Sequence, residues 1–284
     1  MFFMNFSNKI SGFIKISRPL NCLITFISII IAAIVCATAN FILLKVISAA
    51  LAGALTAAGG NAINDIFDLE IDKINSSKRP LPAKVISVKE AIIFYIGINL
   101  SAIFFSFYAG FASFIIVLGT QIILFFYSFR LKHIVLGGNI TVAILTGMTF
   151  FYGGIIVSNR QFSLIPAGFA FLLNLIREII KDMEDVEGYS KLGVITFPQK
   201  FGFKAAKGII ILLILIFFAA VFSLYFIRIY KIEFFIILLI TVIPSLLYII
   251  KSLIEDDSVQ NLKKISLILK INMIFGLAAI YFAK

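Results

Sequence analysis

The chain has 284 residues, of which 61% are hydrophobic and 14% are charged, and its formal net charge is +11. This composition, with a mean hydropathy of +1.10, excludes an ordinary soluble domain, because no such domain needs so much apolar surface. It also argues against a nucleic-acid partner, since the excess positive charge is spread over short segments between apolar runs, where anionic membrane lipid is the more natural counterpart.

Eight apolar runs follow one another along the chain, and most approach or exceed the roughly 20 residues that a membrane-spanning helix needs. The third run is about twice that length and has Ala109 and Gly110 near its middle, so we expect a helical hairpin. The predicted fold is therefore all-α, a polytopic membrane protein with nine transmembrane helices in a single domain, residues 1–284. The runs are residues 20–44, 46–63, 91–129, 134–159, 161–176, 208–227, 234–250 and 265–283.

The first run starts after a mixed polar segment and is longer than the core of a signal peptide, so we expect the mature chain to keep it. The basic residues then predict the orientation, because cytoplasmic loops carry an excess of Lys and Arg. The segments before the first span and after each even-numbered span hold nearly all of the 25 basic residues. The exceptions are Lys45, Arg160, Arg228, Lys231 and Lys284. We therefore expect a multi-pass protein of the cell membrane with a cytoplasmic N-terminus and an outside C-terminus.

A first cluster of carboxylates lies where the second span ends, in residues 64–72. Asn64, Asp68 and Asp72 are four residues apart, so on a helix their side chains project along one face. A carboxylate near hydrocarbon is costly unless it is paired, hydrated or bound to a cation. Because hard oxygen ligands suit magnesium, the pattern favours a magnesium site over an ordinary solvated helix end.

A second cluster follows the sixth span on the same predicted face of the membrane. Asp182 and Asp185 share one helical face there, with Glu178 one turn earlier. Two such faces can hold two magnesium ions with a diphosphate between them, so that its charge and its leaving oxygen are stabilised. Nearby basic residues are expected to neutralise the remaining phosphate charge, and these are Lys78, Arg79, Lys181 and Lys191.

In these motifs the chain resembles the UbiA superfamily of intramembrane prenyltransferases. Residues 64–72 match that family's first aspartate-rich motif in full, and residues 75–82 are similar to the stretch that follows it. Two positions depart from the family pattern: Tyr189 stands where a further aspartate is usual, and Lys84 where glycine is frequent. The resemblance extends to residues 17–21, Tyr127 and Ser128 with Lys132, Gly138 with Asn139, and residues 177–188.

The resemblance implies a bundle of nine helices around a central cavity, capped by cytoplasmic loops and open sideways to lipid. It also implies that bound magnesium holds an isoprenyl diphosphate, whose loss of diphosphate gives an allylic cation that an acceptor captures. The apolar cavity wall would house the prenyl tail and exclude water. The implied metal ligands are Asn64, Asp68, Asp72, Asp182 and Asp185. These aspartates and Asp65 are the predicted catalytic residues, and either Asp65 or Asp68 would take the acceptor's proton.

The acceptor is predicted from finer features. Residues 177–188, followed by 196–198, most resemble the branch of the family that transfers a geranylgeranyl group from geranylgeranyl diphosphate to geranylgeranylglyceryl phosphate, forming the second ether bond of archaeal membrane lipids. Arg18, Lys132 and Lys191 are then expected to bind the acceptor's phosphate, and Asn21 the glycerol or the diphosphate. Tyr127 and Ser128 join the predicted substrate-binding residues through their motif positions.

Two alternatives stay open. An aromatic prenyltransferase, acting on 4-hydroxybenzoate or a naphthoate, would use the same donor site and differ only in its acceptor pocket. A transporter is less favoured, because its ionisable residues would carry coupling ions at the membrane midplane, whereas these carboxylates cluster at one face. Several predicted ligands also have simpler interpretations, as membrane anchors for the basic residues and as a contact between helices for Asn21.

Overall fold

The computed structural model describes residues 2–37, 42–186, 190 and 195–283. In this part of the chain nine helices are long and apolar enough to cross a membrane, as predicted. Numbered α1 to α12 in chain order, the helices are Phe2–Ser17, Pro19–Cys36, Leu43–Phe67, Leu69–Asn75, Val88–Ala109, Phe111–Phe129, Gly137–Ile156, Leu164–Glu184, Phe197–Ile227, Ile232–Ile240, Val242–Glu255 and Val259–Tyr281. Helices α10 and α11 together form one span, while α1 and α4 are additional to the nine.

The predicted hairpin is confirmed. Helix α5 ends at Ala109 and α6 begins at Phe111, and Gly110 between them has a φ of 120°. Only glycine adopts that conformation without a steric penalty, so this residue allows the chain to reverse between two apolar helices. The end of the first span differs from the prediction. Helix α2 ends at Cys36, whereas the first apolar run reaches residue 44.

Helix α1 and the segment after α4 pack on the end of the bundle that carries the first aspartate motif. Ile16 of α1, Leu81 and Ile86 are buried together with Ala62 of α3 and Ala91 of α5. The ammonium of Lys9 also lies 2.5 Å from a carboxylate oxygen of Glu90. These contacts join α1 and residues 76–87 to the same end of α3, and so position the basic residues of both segments near the motif.

The outer face of the bundle is apolar, and its aromatic side chains Phe111 and Phe226 are 76% and 78% exposed. Such a surface is compatible with lipid, in which only spans with internally satisfied backbones are stable. Polar side chains such as Ser28, Thr56 and Asn174 are instead buried inside the bundle. This inverted distribution leaves the polar groups available to an internal site.

Helices α2 and α7 approach closely at Gly153. A Cβ at this position would lie 2.5 Å from the carbonyl oxygen of Ile29 and 2.7 Å from the Cβ of Ala32. Because packing of small residues drives helix association in membranes, Gly153→Ala should destabilise the protein by about 1–3 kcal/mol. Thermal unfolding in detergent would measure the change. Gly276→Ala on α12 is the matched control, since no atom lies within 4 Å of its Cβ position, and equal unfolding midpoints for both variants would contradict the prediction.

Candidate active site

The first aspartate motif lies where α3 meets α4. Asp68 separates the two helices, with φ −88° and ψ 7°, so the motif is not the single continuous helix that the spacing suggested. The hydrogen bonds nevertheless keep their four-residue interval, because the amide of Asp68 donates to the carbonyl of Asn64 and the amide of Asp72 to that of Asp68, both at 2.8 Å. The side-chain amide of Asn64 also donates to Asp68 at 2.7 Å. The predicted spacing therefore survives the break.

Each aspartate of this motif contacts a basic residue from another part of the chain. The pairs are Arg18 with Asp65, Lys132 with Asp68 and Arg79 with Asp72. The ammonium of Lys132 lies 2.5 Å from Oδ1 of Asp68, and Nη1 of Arg79 lies 2.7 and 2.6 Å from the two carboxylate oxygens of Asp72. Because a buried carboxylate without a partner is costly, these ion pairs explain how the cluster is tolerated at the end of the bundle.

The second motif lies at the end of α8. The side-chain amide of Asn139, at the start of α7, donates to Oδ2 of Asp182 at 2.9 Å. One turn earlier, the buried Glu178 accepts from Arg177 at 3.0 Å and from Lys181 at 3.2 Å. The sequence identifies Asn139 only by its motif position, so only the structure shows its contact with Asp182. Tyr189 and Lys191 lie outside the described residues.

The two motifs share one electrostatic environment. Burial raises the pKa of Asp72 to about 6, although the neighbouring Arg79 guanidinium opposes the shift. Burial also raises the pKa of Asp185, which Lys181 and Arg79 lower and the Asp68 carboxylate raises. Asp185 therefore interacts with residues of the first motif as well as with its own. A cation bound between the motifs would favour the charged form of both carboxylates.

The residues fit a magnesium ion that is shared with a substrate. Within the described residues, no group of three or more His, Cys, Asp or Glu side chains is close enough to hold a metal alone. However, Oδ1 of Asn64 is buried without a hydrogen-bond partner, beside the carboxylate of Asp68. Magnesium is commonly bound by one or two protein oxygens together with water and substrate phosphates, and the free amide oxygen supplies such a ligand.

A cavity of about 250 Å³ leads from this end into the bundle. Its lining includes Arg18, Asn21, Asn64, Tyr127 and Lys181, five of the predicted substrate-binding residues, and also Tyr152. On α3 the lining extends from Asn64 over eleven residues, which corresponds to a depth of about 16 Å along the helix. The hydroxyl of Tyr152 lies 2.5 Å from that of the buried Ser113. The cavity lining thus combines charged and polar side chains with a larger apolar surface.

Other predicted ligands take different positions. Lys78 and Arg79 line a separate cleft of about 510 Å³, together with Arg18 and Asp65. Ser128 is buried, and its hydroxyl donates to the carbonyl of Leu124 at 3.0 Å, so the structure uses it within α6. Lys181 lines the central cavity. The structure therefore brings most predicted residues to one end of the bundle. Some of them line these two clefts, but Asp68, Asp72, Asp182 and Asp185 line neither.

The comparison with known sequences gives a consistent family assignment. A model of the UbiA prenyltransferase family matches residues 25–274. A digeranylgeranylglyceryl phosphate synthase from Methanosphaera stadtmanae is 36% identical over 268 residues, covering 93% of this chain and 96% of that protein. The synthase from Saccharolobus solfataricus is 37% identical, with coverage of 82% and 83% respectively.

Solved structures share the architecture. A structure from work on digeranylgeranylglyceryl phosphate synthase in membranes is 29% identical and covers 97% of this chain and 98% of its own, with a TM-score of 0.73. A UbiA homologue from Archaeoglobus fulgidus bound to GPP and Mg²⁺ has a TM-score of 0.71, 21% identity and coverage of 95% and 99%. At that lower identity the similarity shows the fold.

Proposed function

We propose, because this chain belongs to the UbiA prenyltransferase family, that it transfers a geranylgeranyl group from geranylgeranyl diphosphate to geranylgeranylglyceryl phosphate. The family membership confirms the resemblance seen in the sequence. The similarity to named synthases over most of the chain supports the choice of substrates. The observation that carries the proposal is the pair of interacting carboxylate motifs at the end of the bundle where Asn64 also lines a mainly apolar cavity.

The two motifs would bind the donor's diphosphate together with magnesium. Asn64 offers a free buried amide oxygen for this purpose. We infer two ions, one for each motif, with ligands from Asn64, Asp68, Asp72, Asp182 and Asp185. Magnesium bound there would supply positive charge that stabilises the departing diphosphate.

The basic partners of the carboxylates would then bind phosphate. Lys132 and Arg79 neutralise Asp68 and Asp72 in the structure, and these cations become available when the carboxylates bind metal. Arg79 can present two parallel N–H donors to a phosphate, which a lysine cannot. Lys78 and Lys191 complete the basic residues that we assign to the donor.

The cavity would hold the prenyl chain and protect the cation formed at its first carbon. Its mainly apolar wall excludes water that would otherwise capture the cation. Tyr127 in the cavity lining can stabilise positive charge through its ring face. The C–O bond to the diphosphate breaks, the acceptor's hydroxyl oxygen forms the new ether bond, and its proton passes to Asp65 or Asp68.

The orientation of the protein belongs to the same proposal. We place the protein in the cell membrane, with the N-terminus and both motifs facing the cytoplasm and the C-terminus outside. The excess of basic residues in the segments beside the motifs supports this assignment. Both substrates would then meet at the cytoplasmic end of the bundle, where the acceptor lipid can enter from the membrane.

The experiment that tests the function is an assay of purified protein with geranylgeranyl diphosphate, magnesium and either geranylgeranylglyceryl phosphate or 4-hydroxybenzoate, analysed by mass spectrometry. A glycerol phosphate with two geranylgeranyl chains is the expected product. Prenylated benzoate alone would move the acceptor to the aromatic branch of the family. No magnesium-dependent product with either acceptor would contradict the proposal.

A glycine beside Lys132 provides a test of site geometry. A Cβ on Gly138 would lie 2.8 Å from the Cα of Lys132, so Gly138→Ala should displace the lysine from Asp68. We expect kcat/KM to fall by about 10-fold to 100-fold, since small misplacements of catalytic groups are costly. Gly119→Ala on α6 is the control, because no atom lies within 4 Å of its Cβ position. Equal rates for the two variants, measured by initial velocities, would refute this role of Gly138.

A further inference from the structure

A set of hydrogen-bond donors faces the central cavity on the inner side of the second motif. Three of them, Asn174, Arg177 and Lys181, lie on successive turns of α8. The fourth, Lys270, comes from α12, which packs against α8. We call these four residues the polar wall.

Two N–H groups of this wall have no hydrogen-bond acceptor. Nδ2 of Asn174 and Nε of Arg177 are both buried without a hydrogen-bond partner, and the whole of Asn174 is only 5% exposed. Buried N–H groups are nearly always satisfied, because an unmade hydrogen bond to a desolvated donor is destabilising. Two such donors in one cavity wall therefore indicate that a ligand supplies the acceptor oxygens.

The charge of the wall points to an anionic ligand. The only carboxylate that lines the cavity within the described residues is Glu178, and Arg177 and Lys181 already contact it. No ion pair among the described residues includes Lys270, and its charged neighbours are the cations Arg18, Arg177 and Lys181. Charges of one sign inside a membrane bundle are costly unless an opposite charge joins them.

We propose that the polar wall binds the phosphate of the lipid acceptor, an inference that rests on the proposed function. A guanidinium, two ammonium groups and an amide together match the oxygens of a phosphate monoester. Arg177 lies five residues before Asp182, about 7.5 Å along the helix, so a phosphate there is separated from the donor's diphosphate. The glycerol of the acceptor would extend from the polar wall towards the first carbon of the prenyl chain.

This assignment changes the phosphate ligands that the sequence suggested, because Lys181, predicted for the donor's diphosphate, now binds the acceptor's phosphate. Arg18 and Lys132 are paired with Asp65 and Asp68 and so belong to the first motif. A diphosphate bound at the two carboxylate motifs would leave Asn174 and Lys270 without a partner. The acceptor's phosphate satisfies both groups.

The test is a kinetic comparison of Lys270→Met with the wild-type protein. The variant should raise KM for geranylgeranylglyceryl phosphate about tenfold or more, which corresponds to the loss of one charge-assisted hydrogen bond. KM for geranylgeranyl diphosphate, and turnover of the unphosphorylated geranylgeranylglycerol, should stay unchanged. Lys270→Arg keeps the charge and should restore most of the acceptor affinity. Lys264→Met is the matched control, since Lys264 is an exposed residue of the same helix that contacts Tyr248.

The outcomes separate the inference from the proposed function. Wild-type protein that forms no product from the phosphorylated acceptor would refute the function. If the wild-type protein is active, an unchanged KM for the acceptor in Lys270→Met, or a raised KM for the prenyl donor only, would refute the role of the polar wall but not the proposed function. A second measurement needs no variant, because glycerol phosphate should compete with the acceptor and not with the donor. Competition with the donor only, or no inhibition, would overturn the inference even where Lys270→Met fails to fold.

Discussion

Replacing Asp68 by alanine is expected to abolish prenyl transfer while the protein stays folded in the membrane. Asp68 lies at the junction of α3 and α4 and contacts both the Asn64 amide and the Lys132 ammonium. Its loss removes a proposed metal ligand and the charge that positions Lys132. Because preorganised electrostatic groups each contribute about 100-fold to 1000-fold to turnover, a loss of at least this size in kcat is expected.

The variant Asp68→Asn separates the effect of the lost negative charge from an effect on folding. Lys132 is almost fully buried, with 6% of its side chain exposed, so Asp68→Ala leaves a cation without its partner. Asp68→Asn keeps an oxygen that accepts from Lys132 while it removes the negative charge, and this variant should be equally inactive. Thermal unfolding and size-exclusion profiles in detergent would verify the fold of both variants.

Glu70→Ala is the matched control for Asp68. Glu70 lies two residues away, but its carboxylate is exposed and pairs only with Lys73 at 2.6 Å. Exposed pairs of this kind contribute little to stability, so wild-type turnover is expected in Glu70→Ala. Substantial activity in Asp68→Asn, or an equal loss in Glu70→Ala, would contradict the proposed role of the first motif.

The sequence predicted the spans and the hairpin because both depend on local features. Length and apolar character suffice to identify a membrane helix, and Gly110 marks the turn because of its positive φ. The four-residue spacing of the first motif likewise identified the residues that lie together. The break at Asp68 was not predictable, since a helix that ends and restarts within one residue preserves the same spacing.

The contacts between distant segments could not be derived from the sequence. Arg18 and Asp65 are 47 residues apart, and Asn139 and Asp182 are 43 residues apart. The sequence groups Lys270 with the basic residues that precede the last span, although it lies within residues 265–283. Only the packing of α12 against α8 reveals that it faces the cavity, because nine similar apolar helices contain no local signal for which of them are neighbours.

A second large loss of activity is expected from Asp182→Ala. Tyr189 stands where the family usually has a further aspartate, so the second motif offers fewer carboxylates and we expect Asp182 to carry more of the proposed metal binding. Its Oδ2 is held by the Asn139 amide at 2.9 Å, as expected for an oriented ligand. Asp182→Ala should lower kcat by about 100-fold or more and raise the magnesium concentration needed for half-maximal rate.

Variants of residues near Asp182 test whether the loss of activity comes from the Asp182 carboxylate itself. Asn139→Leu leaves the carboxylate but removes its hydrogen bond, so a smaller loss of about 10-fold to 100-fold is expected. Glu184→Ala, two residues from Asp182 on the same helix, serves as the control and should retain activity. Magnesium titrations of these three variants and of Asp185→Ala separate two arrangements of the second motif, with and without Asp182 as a metal ligand. If Asp185→Ala is severe while Asp182→Ala keeps wild-type rates and magnesium dependence, the second ion is bound through Asp185 without Asp182, and the ligand set proposed for this motif is wrong.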